Sequence, residues 1–197
     1  MKTRRYTMKA RAAAQQETIE HILRAGSALL WEKLSPEITL AEVAGRAGVS
    51  VQTILRHFGT REHLLAAAED FLRQEIRAER EAPAGDLPAA VRAIYDHYEL
   101  RGDAVLRMLA QEYWNEHLRA INDSGRAQHR QWVEAVFRPQ LAAFAESERA
   151  ALVDLLVVAT DAYTWKLLRR DRGLSRMEAE ARTRRLIAAI LRGEKGE

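Results

Sequence analysis

Side chains that can pair with the edges of nucleic-acid bases are concentrated just after residue 50. The amide of Gln52 can form two hydrogen bonds with adenine, and the guanidinium of Arg56 can form two with guanine. The shorter polar side chains of Thr53 and His57 suit contacts with phosphates or bases. These residue types at this spacing indicate recognition of a nucleic acid, provided that one helix presents them on its exposed face.

Helical spacing predicts that arrangement between Ser50 and Phe58. Val49, Ile54 and Phe58 form an apolar stripe that faces inward. The residues expected on the opposite, outward face are Val51, Gln52, Leu55 and Arg56. Val51 or Leu55 could meet the methyl group of thymine.

The segment before this helix predicts a sharp turn. Thr39 can cap a short helix, and Glu42 three residues later completes a capping box. Gly48 ends that helix at a position where the backbone commonly needs positive φ. Ala44 is small enough for two helices to cross closely. This is the pattern of a helix-turn-helix, in which the second helix enters the major groove; the alternative is a plain helical corner within a bundle.

Phosphate contacts are predicted at helix N-termini, where backbone N–H groups and the helix dipole favour anions. The residues at such positions are Thr39, Ser50, Thr60 and Arg61. Bound phosphates would set the register of the helix that reads the bases.

Positive charge is concentrated in the first third of the chain. Residues 1–61 hold ten Lys or Arg and five Asp or Glu, a net charge of +5, which leaves −2 for the rest. This distribution favours a polyanion as partner of the first third. Residues 1–11 form a basic arm, which either inserts into the minor groove or is a disordered terminus.

Composition favours an all-α chain. Ala, Leu, Arg and Glu dominate the 197 residues, and no segment alternates with a period of two. The absence of cysteine excludes disulfides and thiolate metal sites and fits a reducing cytosol. No apolar run approaches the roughly 18 residues of a membrane span, and the start of the chain lacks the apolar core of a secretory signal.

About nine helices follow from apolar spacing, capping residues and breaks. The clearest break, "EAPAGDLPAA", sets a domain boundary at residue 83. An Arg101-Gly102-Asp103 turn and a polar "INDSGR" loop are expected beyond it. The predicted helices before the break are 12–34, 40–47, 50–58 and one that starts after Thr60; those after it are 91–99, 105–118, 128–145 with a kink at Pro139, 148–172 and 175–193.

The stretch "TLAEVAGRAGVSVQTILRHFGTREHLL" resembles the DNA-binding region of the TetR family of bacterial transcription regulators. The resemblance is strong over residues 12–75 and extends to the helical architecture beyond. Two positions depart from the family pattern. Leu55 replaces the usual Tyr that contacts the DNA backbone, and Arg61 replaces a frequent Lys.

The resemblance implies an all-α, two-domain regulator. Its parts are the arm, a three-helix DNA-binding domain with helix-turn-helix and connecting helix over 12–82, and an effector-binding and dimerisation domain over 83–197. The expected partners are a double-stranded DNA operator, a small-molecule effector and a second copy of the chain. No membrane, cofactor, metal or enzymatic activity is predicted. The protein is expected in the bacterial cytoplasm, on the nucleoid when bound to DNA.

Aromatic and histidine residues between 95 and 137 are interpreted either as core or as lining of the effector pocket that the resemblance implies. The residues predicted to line the pocket are Tyr95, Tyr98, Trp114, His117 and Trp132. His97, Glu112, Glu116 and His117 could suggest a metal, and the two glutamates share a helix face. The sequence shows no convergence of the three or four ligands that zinc needs.

The last helices carry two apolar faces, which pack either inward or against a second copy. The resemblance implies a four-helix interface between two subunits, and two half-sites one helical turn apart require a two-fold protein. The interface residues predicted are Leu152, Leu155, Leu156, Ala159, Tyr163, Leu167, Leu186, Ile187 and Ile190.

Two other functions remain open from the sequence. A helical module that binds a small molecule or protein, with weak or vestigial DNA binding, is indicated by Leu55 alone. A catalytic bundle would need a bound metal or cofactor, and no nucleophile elbow, phosphate loop or metallohydrolase motif is present.

Overall fold

The computed structural model describes residues 2–33 and 35–193, with side chains from residue 13 onward. These residues form helices and connecting turns, and none of the described residues is in a strand. The predicted all-α class is confirmed. None of the helices in the described ranges is long and apolar enough to cross a membrane.

The chain divides into two compact units, Met1–Arg77 and Ala78–Glu197. The division lies shortly before the predicted boundary at residue 83, where Pro83 and Gly85 follow the end of a long helix.

Four helices build the first unit. They are α1 (Lys2–Glu32), α2 (Leu40–Ala47), α3 (Val51–Phe58) and α4 (Arg61–Glu79), and a single 3-10 turn, Ser35–Glu37, lies between α1 and α2. The first helix begins at Lys2 rather than near residue 12, so residues 2–11 of the predicted arm continue α1. Their contact with DNA stays a prediction, and Met1 lies outside the described residues.

Apolar residues from all four helices form the core of the first unit. Ile22 of α1, Val43 of α2, Ile54 of α3 and Leu64 of α4 are each fully buried. Because Ile54 belongs to this core, the opposite side of α3 has to face away from it.

Up to residue 193, the second unit contains six further helices and one π-helical segment. The helices are α5 (Leu87–Gln111), α6 (Glu116–Val136), α7 (Arg138–Leu141), α8 (Glu146–Thr160), α9 (Ala162–Lys166) and α10 (Arg176–Gly193). The π-helical segment, Leu167–Asp171, follows α9 directly. Ser175 and Glu178 form a capping box at the start of α10: the Ser175 N–H donates to the Glu178 carboxylate, and the Glu178 N–H donates to Ser175 Oγ.

The turn predicted at residues 101–103 is wrong, because α5 continues through it. Gly102 lies inside the helix against the ring of Trp165, and a Cβ atom there would come within 2.5 Å of that ring. The glycine therefore marks a close helix–side-chain contact rather than a break.

The loop predicted at "INDSGR" is also wrong, because this segment is helical in α6. The Asn122 side chain donates to the Met108 carbonyl at 3.2 Å and to the Glu112 carboxylate at 3.0 Å. Arg126 adds an ion pair with Glu112 at 2.9 Å. These contacts with the end of α5 stabilise the helix in a segment whose composition is typical of a loop.

Two long predicted helices are each divided. Pro139 lies in the first turn of the short α7 rather than in a kink, because proline fits a first turn well. Asp161, with extended backbone, separates α8 from α9, and its carboxylate accepts a hydrogen bond from Tyr163 N–H at 2.8 Å.

The core of the second unit collects side chains from α5, α6, α8, α9 and α10. Among the largest fully buried members are Trp165, Tyr95, Phe137, Leu152 and Ile187. Several members come from the face of α8 that was also considered for a subunit interface.

Candidate DNA-binding surface

The turn between α2 and α3 has the geometry that the sequence predicts. Gly48 has φ 67° and ψ 30°, a left-handed conformation that glycine adopts at little cost. The N–H of Val49 donates to the carbonyl of Ala44 at 3.0 Å. The predicted C-cap glycine is confirmed, and this turn sets the direction in which α3 leaves α2.

Packing against the first-unit core orients α3. Ile54 is fully buried, and Val49 and Phe58 pack against the same core. Val51 also packs partly against it, although the sequence predicts an outward position. Less of the Val51 side chain is therefore free to meet a base.

The outward face of α3 carries Gln52 and Arg56, both exposed. Leu55 lies between them and is partly exposed, as are Thr53 and His57. Within the described part of the chain, neither the Gln52 amide nor the Arg56 guanidinium forms a hydrogen bond or ion pair. Both groups are therefore available to an external partner.

Local charge favours an anionic partner for this face. Residues 43–61 contain three arginines and no Asp or Glu. Arg46 is neutralised by Glu32 through two hydrogen bonds of 2.6 and 2.9 Å, which lower the pKa of Glu32. Since Arg61 also has partners, Arg56 is the one arginine of this stretch without an acidic or carbonyl partner among the described residues.

The hydroxyls predicted to contact DNA act first as helix caps. Ser50 Oγ accepts from Thr53 N–H at 3.1 Å, and Thr60 Oγ1 accepts from His63 N–H at 3.1 Å. Both arrangements organise the first turn of a helix. A phosphate at either point would meet mainly backbone N–H groups.

The start of α2 already holds an anion. Thr39 and Glu42 form the predicted capping box, in which the Glu42 carboxylate accepts from Thr39 N–H at 2.9 Å. Hydrogen bonds from Lys33 and then Thr39 lower the pKa of Glu42 to about 2. A phosphate beside Thr39 would therefore lie next to a carboxylate that is ionised at neutral pH.

Arg61 has a structural position that the sequence does not reveal. Its Nε donates to the Ile38 carbonyl at 2.7 Å, and one terminal nitrogen donates to the Ser35 carbonyl. The other terminal nitrogen lies 3.5 Å from Glu62. The side chain thus ties the start of α4 to the segment before α2, and its predicted contact with phosphate stays a prediction.

The five residues predicted to line an effector pocket do not share one environment. Tyr95 and Tyr98 are buried, with hydroxyls 2.9 Å from Thr183 Oγ1 and 3.2 Å from the Thr160 carbonyl. Trp132 is partly buried. The remaining two, Trp114 and His117, are exposed near the connection between α5 and α6.

Sequence reasoning missed a set of polar side chains inside the second unit. His97 is buried, and its Nδ1 lies 2.8 Å from the Glu79 carboxylate. Burial lowers the pKa of His97 to about 4, so the neutral ring donates to Glu79. Arg101 donates to the same carboxylate at 2.9 Å. Nothing in their spacing indicates burial, because their partners lie on another helix.

No metal site is assembled from the described residues, where no three His, Asp or Glu side chains come together as ligands. The candidates have other partners. His97 bonds to Glu79, whereas Glu112 bonds to Asn122 and Arg126.

The residues predicted for a subunit interface fall into three groups by exposure. Four belong to the core of one subunit: Leu152, Leu156, Ala159 and Ile187. Ile190 is partly buried, and four are exposed: Leu155, Tyr163, Leu167 and Leu186. Val158, which is 62% exposed, was missed. The exposed apolar residues are those that a second copy could cover, and the interface stays a prediction.

A family model matches most of the first unit beyond residue 21. Residues 22–68, which include α2, α3 and the turn between them, match the family model of bacterial regulatory proteins of the tetR family. No curated protein matches the chain by sequence.

Two solved structures share the fold. A transcriptional regulator from Rhodococcus sp. Rha1 is 21% identical, with a TM-score of 0.58 over 89% of this chain and 96% of that chain. A second Rhodococcus protein, assigned to the TetR family of transcriptional regulators, is 19% identical, with a TM-score of 0.58 over 89% of this chain and 99% of its own. The likeness at these identities is one of fold. Together with the family match, it confirms the resemblance to the TetR family that the sequence predicts.

Proposed function

We propose that this chain, which has the fold and the helix-turn-helix of TetR-family transcription regulators, is a homodimeric repressor that a small molecule releases from a palindromic operator. The observation that carries the DNA-binding part is the outward face of α3. Gln52 and Arg56 are exposed there without partners among the described residues, in a stretch without acidic residues.

In the proposed complex, α3 lies in the major groove. Gln52 pairs with adenine and Arg56 with guanine, and Leu55 or the exposed part of Val51 meets a thymine methyl. Thr53 and His57 reach bases or phosphates. Backbone N–H groups at the starts of α2, α3 and α4, near Thr39, Ser50 and Thr60, together with Arg61, approach phosphates.

A second copy of the chain is required by the geometry of a palindromic operator, whose half-sites lie about 34–36 Å apart. Exposed apolar side chains at the end of the chain support this partner. Leu155, Val158 and Tyr163 are 45%, 62% and 56% exposed, and apolar patches of this kind mark interaction surfaces. Leu167 and Leu186 extend the apolar surface that the second copy would cover.

The ligand response is assigned to the second unit. An effector bound there would act by favouring one separation of the two α3 helices over another, and it can do so only by binding one arrangement more tightly. The role needs no catalytic residue. It places the protein in the bacterial cytoplasm, on the nucleoid when bound to DNA.

One observation favours a second function. Leu55 stands where the family usually has Tyr, and it cannot donate the hydrogen bond of that Tyr to a phosphate. A binding module with vestigial DNA affinity would account for this substitution.

Retention on double-stranded DNA at physiological salt distinguishes the two functions. The wild type is compared with the double variant Gln52→Ala/Arg56→Ala and with the control Gln74→Ala, which changes an exposed residue of α4. The proposal expects retention that falls steeply with added salt and is lost only in the double variant. Equal retention of all three proteins, or no retention of a folded wild type, would favour the binding module.

Light scattering tests the dimer. The wild type is expected at the mass of two chains, and Val158→Glu at the mass of one, because a charge would then face the partner. A monomeric wild type would contradict the proposal that a two-fold dimer binds the operator.

A further inference from the structure

The side chain of Arg80 is an unusual feature of the second unit, because it is half-buried and its Nε atom is buried without a hydrogen-bond acceptor among the described residues. Arg80 follows directly after α4, and its Nε atom has no hydrogen-bond partner in the described part of the chain. Burial lowers the pKa of this guanidinium. Buried N–H groups in proteins are normally hydrogen bonded, so an acceptor for the Nε–H of Arg80 is expected.

The nearby acidic side chains are engaged elsewhere. Glu79 accepts hydrogen bonds from Arg101 and His97. Asp161 accepts from the N–H of Tyr163 at the start of α9. Both carboxylates attract Arg80 through space, but neither forms an ion pair with it among the described residues. Neither carboxylate therefore supplies the missing acceptor of Arg80 Nε.

A closed series of contacts links Arg80 to three aromatic or imidazole rings. The guanidinium lies over the ring of Tyr98, 5.7 Å from its centroid, and the Tyr98 hydroxyl donates to the Thr160 carbonyl at 3.2 Å. The Thr160 hydroxyl lies 3.1 Å from Nε2 of His129. His129 stacks on Trp132 at 5.6 Å, and Trp132 Nε1 donates back to the Arg80 carbonyl at 2.7 Å.

His129 adds a second polar atom without adding charge. Its Nδ1 is buried without a hydrogen bond of good geometry in the described residues, although a backbone contact with Val157 favours the protonated ring. Burial, followed by the charge of Arg80, lowers the pKa of His129 to about 3. The ring is neutral at pH 7, so it neither repels an anion nor neutralises Arg80.

We propose that the Arg80 guanidinium, which lies over Tyr98 and is linked by these contacts to His129 and Trp132, binds the carboxylate of an aromatic acid. A carboxylate matches the planar donor set of arginine, and the flat rings suit a flat ligand. The inference rests on the proposed ligand response and names the class of effector that the second unit takes.

Calorimetric titration of the full-length protein tests the charge requirement. The probes are benzoate, phenylacetate and indole-3-acetate, each compared with its neutral amide, and acetate tests whether the aromatic body matters. At least one aromatic acid is expected to bind about tenfold or more tightly than its amide, and acetate weakly. Equal binding of acid and amide, or no binding of any acid at millimolar concentration, would overturn the inference.

Variants then test the assigned residue. Arg80→Met keeps the apolar stem but removes the charge, and Arg80→Lys keeps the charge but loses the planar donor set. Arg92→Met is the matched control, because Arg92 is an exposed arginine of α5. The preference for acid over amide is expected to disappear in Arg80→Met, to be reduced but still present in Arg80→Lys and to persist in Arg92→Met. If Arg80→Met does not fold by circular dichroism, Arg80→Lys decides; an unchanged preference in a folded Arg80 variant contradicts the assignment.

Measurement of DNA affinity with and without the acid separates this inference from the proposed function. Binding that depends on Arg80 but leaves DNA affinity unchanged would keep the site and reject the regulatory role. Release from DNA by ligands that bind equally well to Arg80→Met would keep the regulatory role and reject the site.

Discussion

The outward face of α3 and the interior of the second unit use polar side chains in opposite ways. On α3, Gln52 and Arg56 face solvent without partners among the described residues. In the second unit, polar groups are buried and joined by contacts that span 88 residues between Tyr95 and Thr183 and 52 between Arg80 and Trp132. The difference teaches that an exposed polar face contributes little to the stability of its unit, whereas a buried polar network holds together parts of the chain that are distant in sequence.

Acid should destabilise the second unit more than any single substitution. The folded-state pKa values of His97 and His129 are lowered to about 4 and about 3, chiefly by burial, whereas an unfolded histidine titrates near 6.5. The contribution of the two histidines to the free energy of unfolding is complete above about pH 6.5. It is lost as the pH falls toward 4, because the unfolded chain then binds protons that the folded chain does not. Between pH 7.5 and 5 we expect a loss of about 2 kcal/mol for each histidine.

Urea unfolding at both pH values measures this loss. The raised pKa of the half-buried Asp161 offsets part of this loss, whereas Glu79, with a pKa of about 2, contributes only below this range. In His129→Gln the loss should fall by about half. A free energy of unfolding that stays constant from pH 7.5 to 5 would show that the two histidines are not held neutral.

A methyl group added at Gly102 should be the most damaging small substitution in the second unit. In Gly102→Ala the new Cβ would come within 2.5 Å of the buried Trp165 ring, and overpacking of a core costs up to about 3 kcal/mol. Gly125→Ala is the matched control in α6, where a Cβ meets nothing within 4 Å. The control should gain about 0.5–1 kcal/mol from helix propensity. Similar free energies for both variants would mean that Trp165 does not pack against α5.

Substitutions of Arg56 and Arg61 should have different effects, the first on DNA binding and the second on the stability of the first unit. Arg61→Ala removes hydrogen bonds to the Ile38 and Ser35 carbonyls, so we expect a loss of about 2 kcal/mol in stability. Arg56→Ala removes no described contact, so stability should change by less than about 0.5 kcal/mol, whereas binding of a selected DNA site should weaken by about 1–3 kcal/mol. Thermal unfolding and fluorescence anisotropy measure the two effects, and the reverse assignment would contradict the positions given to both arginines.

Loss of one buried hydroxyl should have the smallest effect. Tyr95→Phe removes the hydrogen bond to Thr183 at 2.9 Å and leaves a buried hydroxyl without this partner, at a cost of about 1 kcal/mol. The double variant Tyr95→Phe/Thr183→Val replaces both partners by apolar groups and should recover most of that loss. Additive losses in the double variant would show that the two hydroxyls do not depend on each other.

The sequence predicts the first unit well because its features are local. The capping box of Thr39 and Glu42, the left-handed Gly48 and the cap at Thr60 each depend on residues within four positions of one another. The apolar stripe that orients α3 follows from helical spacing alone. The role of Arg61 could not be predicted in the same way, because its acceptor at Ile38 lies 23 residues away.

The second unit is predicted less well because distant contacts override local signals. Gly102 resembles a turn residue until Trp165 is seen beside it, and "INDSGR" resembles a loop until Asn122 is seen to bond with the end of α5. Arg80 and His129 could not be predicted as site residues, because nothing near them in sequence reports their burial.

Selection of bound sequences from a random double-stranded DNA pool tests the central claim that α3 reads DNA. The purified wild type and Arg56→Ala are used in parallel at near-physiological salt. The account predicts an enriched palindrome for the wild type, and for Arg56→Ala a loss of preference at one symmetric pair of positions only. No enrichment by a folded, dimeric wild type, or the same palindrome at full strength for both proteins, would contradict it.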